Sequence, residues 1–146
     1  MSTKTKFVSV VVVFGLISFA LSRVIWPDVM EPGMMGPSSG QLPFFIFISV
    51  FESVAFGVGV AFLFFGWPMV RRTLPDQYTG AVLTFLSIAW MLISWWPHDN
   101  MHRVNGTNDL AGLLRIEYIF HFTLIIAAFI VAFTFWKRIS TLVPNM

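Results

Sequence analysis

Cysteine is absent from this chain of 146 residues, which removes disulfides, thiolate metal sites and iron–sulfur clusters from consideration. Any metal would have to be held by histidine, carboxylate or methionine. Charge is scarce too: 11% of the residues are Asp, Glu, Lys or Arg, against about 25% in ordinary soluble domains. With 57% hydrophobic residues and a mean hydropathy of +0.79, the chain reads as an integral membrane protein. Its pI near 9.4 does not point to nucleic acid, because the basic residues stand in pairs beside apolar runs and not along one polar face. No internal repeat, low-complexity tract or nucleotide motif is present, so residues 1–146 read as a single membrane domain.

Four apolar runs are long enough to cross a hydrocarbon core of about 30 Å at 1.5 Å per residue. They are taken as spans at residues 7–25, 43–67, 78–98 and 110–136, which predicts an all-α, four-helix transmembrane bundle. The first run, with Lys4 and Lys6 ahead of it and Ala20 and Ser22 before Arg23, also fits a cleavable signal peptide. The fourth exceeds what a bilayer needs and must tilt or protrude. Residues 26–41 form a loop rich in Pro and Gly that carries Met30, Met34 and Met35; these either pack on the bundle or offer a soft surface for Cu(I). In span two, Ser49, Ser53, Gly57 and Ala61 recur every four residues, a ridge that admits another helix closely. In span three, Thr84, Ser87, Met91, Ser94 and His98 alternate steps of three and four, a stripe that faces a partner helix. Pro97 is expected to kink this helix. Residues 66–77 are expected to form a loop, and Asn108 or Asp109 to cap span four.

Lys4 and Lys6, Arg71 and Arg72, and Lys137 and Arg138 mark one side of the membrane. The positive-inside rule then puts both termini in the cytoplasm and all three histidines toward the extracytoplasmic face. The outer loop between spans three and four carries a glycosylation sequon at Asn105.

The chain contains three histidines. His98 with His102, and Glu117 with His121, are each spaced i,i+4, so each pair shares one helix face. Counting from the inner interface at 1.5 Å per residue, Glu52 and His121 rise roughly 22 Å, Arg23 about 24 Å, Glu117 about 28 Å and His98 about 30 Å. Such groups are costly in hydrocarbon, at least about 2.5 kcal/mol per charge, yet they gather in one layer. The expectation is a transition-metal site with ligands His98, His102, Glu117, His121 and Glu52. Asp99 would accept from a histidine N–H, and Arg23 would neutralise Glu52. The lack of thiolates and the nearby methionines favour copper, with iron and zinc open. The competing readings of the same residues are an ion-pair cluster, a proton relay and a haem with two axial histidines.

These features suggest a subunit of a membrane oxidoreductase or metal-handling complex, in contact with the lipid bilayer and other membrane subunits. The alternative is an accessory subunit without a cofactor, supported by an aromatic content of 17% and the small-residue ridge.

Overall fold

A backbone in lipid must satisfy its own hydrogen bonds, which a helix does within one segment. The computed structural model describes residues 1–22, 38–104 and 109–142, and every element among them is helical. In chain order these are α1 (Thr3–Ala20), α2 (Leu42–Phe65), α3 (Trp67–Thr73), α4 (Tyr78–Ile93), α5 (Trp95–Val104), α6 (Leu110–Ile116), a π-helical segment (Glu117–Phe122) and α7 (Thr123–Leu142). α1, α2 and the continuous stretch Leu110–Ser140 are each long and apolar enough to cross a membrane. α4 and α5 supply a fourth crossing when taken as one broken span, bent by 40° at Ser94. The result is an all-α membrane helical bundle.

Local sequence sets the breaks and ends. Pro97 has no N–H to give the Ile93 carbonyl, and its ring crowds that carbonyl, so the helix turns there and resumes with His98 N donating to Ser94 O at 3.0 Å. Ser2 accepts from Thr5 N at the start of α1, and Asp109 from Gly112 N at the start of α6. The stretch after Gly66, expected to be a loop, is partly helical. Pro68 falls in the first turn of α3, where a missing donor is harmless, and the Arg71 guanidinium ties off the end by donating to the Leu74 and Pro75 carbonyls at 2.9 and 3.1 Å.

α2 is the middle helix, packed against α1 on one side and α4 on the other, while α4 packs in turn on α7. Two glycines explain how α2 serves both neighbours. Residues 57 and 59 point to opposite sides of a helix. A Cβ at Gly57 would collide with the Val11 carbonyl of α1 and reach within 3.0 Å of Gly15 N; one at Gly59 would sit 2.6 Å from Ile93 Cγ1 of α4. The ridge Ser49, Ser53, Gly57 and Ala61 is buried throughout, and Ser18 of α1 donates to the Ser53 carbonyl across it. The α4–α7 joint is polar: Thr84 donates to Thr134 at 3.0 Å and Trp90 Nε1 to Thr123 at 2.9 Å.

Contacts also fix which ends lie together. Phe7 at the start of α1 meets Phe65 at the end of α2, and Leu74–Gln77 share a cleft with Thr134, Lys137 and Arg138. His98, His102 and His121 lie at the other end of the helices, where Arg103 covers the Phe45 ring near the start of α2.

Candidate metal centre

The bend at Ser94 redirects α5, and the i,i+4 spacing then presents His98 and His102 on one face of it. His121 approaches from the π-helical segment. His98 Nε2 lies 2.8 Å from His121 Nε2 and 3.1 Å from His102 Nε2, and one nitrogen from each of the three rings falls within 4.8 Å of the others. His98 and His121 are half-buried and His102 is exposed.

The chemistry of these nitrogens follows from the fourth partner. Glu117 Oε2 stands 2.7 Å from His121 Nδ1. A carboxylate oxygen accepts, so Nδ1 carries the proton and Nε2 is the nitrogen left to offer a lone pair toward His98 when a cation is to be held. A single proton placed between the rings satisfies one nitrogen pair. A cation among them would take three lone pairs at once. At metal–nitrogen bonds of about 2.05 Å, a tetrahedral centre needs nitrogens about 3.3 Å apart, so the widest separation must close by at most about 1.5 Å, a movement that the exposed His102 side chain can make.

Among the described residues, the three histidines are the group whose ligand atoms converge in this way. Glu117 sits behind His121, where a carboxylate fixes the tautomer and orientation of a ligating ring. Glu52 is buried on α2 at 6% exposure and interacts with Asp99 and Arg103. Asp99 accepts from Arg103 Nε at 2.5 Å, so its carboxylate is engaged by the arginine. Arg23, Met30, Met34, Met35 and Asn105 lie outside the described residues. The height count puts His98 well above His121, yet their ring nitrogens touch. The bend before α5 and the widened turn around His121 are what the straight-helix count omits.

Sequence reasoning passed over three residues that build the floor of the cluster. Trp90 stacks on Phe120 with ring centroids 5.8 Å apart, and Phe120 meets the His98 ring at 5.3 Å. Thr123 accepts the Trp90 indole N–H and donates to the Ile119 carbonyl in the π-helical segment, whose altered hydrogen-bond pattern it satisfies. The sequence carries a faint signal for this, in Gly112, Ile116 and Phe120 at steps of four. The structure buries all three, and each such step drifts about 40° on an α-helix of 3.6 residues per turn. A wider turn takes up that drift.

No protein-family model matches the chain, and neither a curated protein nor a solved structure matches it. The functional reading therefore rests on the geometry of the histidines.

Proposed function

We propose that this protein is a small membrane subunit that binds one transition-metal ion through His98, His102 and His121, with Glu117 orienting His121. The observation that carries the reading is the convergence of the three ring nitrogens within 4.8 Å. Three protein ligands leave a coordination position for an exogenous molecule, the arrangement expected of sites that react or exchange. Imidazole suits copper, zinc and iron. Copper is favoured by the absence of thiolates and by half-buried Met101 beside His102 on α5. An oxidoreductase or metal-handling assembly is the setting this suits, with the centre on the extracytoplasmic side by the positive-inside rule.

A second reading, an accessory subunit without an ion, is favoured by one observation. Only 6% of the apolar window of α1 and 11% of that of the last span are buried, against 39% for α2. Those surfaces suit lipid or neighbouring helices whether or not the histidines hold metal.

Metal analysis of the purified protein after loading with Cu, Zn or Fe separates the two. About one ion per chain is expected, and its loss in His98→Ala. A folded protein that retains none of the three metals leaves the accessory reading standing.

A further inference from the structure

The end of the molecule away from the histidines holds two adjoining cavities beside α7, one against the end of α3 and the turn 74–77, the other against α3 and α4. The outer one, about 220 Å³, is walled by Thr73, Asp76, Gln77, Thr134, Lys137 and Arg138. At roughly 30 Å³ per water, it has room for a group of several heavy atoms. The inner one, about 70 Å³, runs along Met69, Val70, Leu74, Ile88 and Phe135. Thr73, Leu74, Thr134 and Arg138 line both, so the polar cleft and the apolar groove adjoin along these side chains.

The charge around the cleft is positive on balance. Lys137 and Arg138 outnumber the one carboxylate in its lining, Asp76, and Arg71, whose guanidinium holds the Leu74 and Pro75 carbonyls, adds positive charge to the rim. The shape is one-sided, with polar groups at the helix ends and apolar side chains deeper along them. Met69 and Phe135 are 60% and 48% exposed, so the groove opens sideways to whatever surrounds the helices. In a protein with these spans that surrounding is lipid.

We infer that this amphipathic cleft binds an anionic phospholipid, with the headgroup phosphate at Lys137 and Arg138 and the start of an acyl chain along Leu74, Ile88 and Phe135. Basic pockets between transmembrane helices recognise anionic headgroups in this manner. Phosphate alone would use the outer cavity only. A zwitterionic lipid carries a phosphate and acyl chains as well, but its headgroup has no net negative charge for Lys137 and Arg138 to hold, so net charge together with an acyl chain distinguishes the proposed ligand. The inference is independent of the metal centre, which lies at the opposite end.

The test uses the full chain in a mild, uncharged detergent. Lipid retention by native mass spectrometry and thermal unfolding are measured with phosphatidylglycerol, phosphatidylcholine or inorganic phosphate added. Phosphatidylglycerol should be retained and should raise the unfolding temperature, whereas the other two should not. Each basic residue near an anionic headgroup contributes about a fivefold gain in affinity, so Lys137→Gln with Arg138→Gln should weaken phosphatidylglycerol about thirtyfold. Ile88→Trp, which fills the groove, should weaken phosphatidylglycerol while leaving the basic residues in place. Unchanged helicity and a single size-exclusion peak establish that each variant is folded, and Lys137→Gln alone, expected to lose about fivefold, serves if the double variant is not. Equal stabilisation by phosphatidylcholine, equal stabilisation by phosphate, or wild-type affinity in the folded basic variants would overturn the proposal.

Discussion

Replacing Glu117 separates a carboxylate that holds a histidine from one that holds an ion. Its Oε2 lies 2.7 Å from His121 Nδ1, and its side chain is 59% exposed. Removing a carboxylate that supports a ligating histidine costs 10- to 100-fold in metal affinity. Water competes for so exposed a contact, which puts Glu117→Leu at the lower end, about tenfold or 1.4 kcal/mol. Glu117→Gln keeps an acceptor oxygen and loses the charge. Charge-assisted bonds are about twice as strong as neutral ones, so this variant should lose about threefold. His121→Ala, by contrast, should abolish stoichiometric binding. The assay is a competition titration of purified protein against a chelator of known affinity, with copper and zinc in turn at fixed pH. Should Glu117→Leu lose the ion as completely as His121→Ala, the carboxylate is itself a ligand. Should both Glu117 variants match wild type, the contact does nothing to hold the ring. Either result refutes the orienting role.

Ligating imidazoles must shed their protons, so metal affinity should fall as pH drops from 7 to 5; a flat profile over that range would exclude histidine ligation. Gly57→Leu forces a side chain into the Val11 carbonyl and should cost about 1–3 kcal/mol or more, read as a lower denaturant midpoint, whereas Val54→Leu, at an exposed position, should be nearly neutral. Thr123→Val strands the Trp90 indole N–H and should cost about 1–3 kcal/mol, with a shift in tryptophan emission as the local readout. Accessibility tags at residue 1 and residue 146 should both report the cytoplasm and one at Gly40 the outside; an externally labelled C-terminus would invert the assignment of the histidines to the outer face.

Periodicity carried most of the architecture. Ser49, Ser53, Gly57 and Ala61 marked the α1 contact because only small residues let two backbones approach, a need visible in residue size alone. The stripe from Thr84 to Ser94 lies on the packed side of α4 and its C-cap, where Thr84 finds Thr134 as a partner and the small Ser94 hydroxyl is buried without one among the described residues. Pro97 marked the bend. What the pattern could not carry was distance. A count of rises assumes straight, parallel α-helices, and it separates His98 from His121 because it contains neither the bend nor the π-helical turn. The pairing of Glu52 with Asp99 and Arg103 was equally hidden, since it depends on where the redirected α5 lies across α2. Residue type made five side chains candidate ligands; geometry gathers the three rings and sets Glu117 behind one of them.

The same geometry relates the centre to the joint between α5 and the last span. α1 and α2 interlock through glycine and serine, while the last span packs on α4 through the Trp90–Phe120 stack and two polar contacts, Thr84 with Thr134 and Trp90 with Thr123. Beyond Trp90 the chain bends away into α5, and the His98–His121 contact is the next tie in line. A π-helical turn is a departure from the better-packed α form that recurs at functional sites. Here it turns His121 toward α5 while Phe120 and Ala127 remain buried. An ion held by His98, His102 and His121 would therefore fasten α5 to the last span. By mass action a bound metal would stabilise the bundle, by about 2.7 kcal/mol at a free concentration one hundred times the dissociation constant.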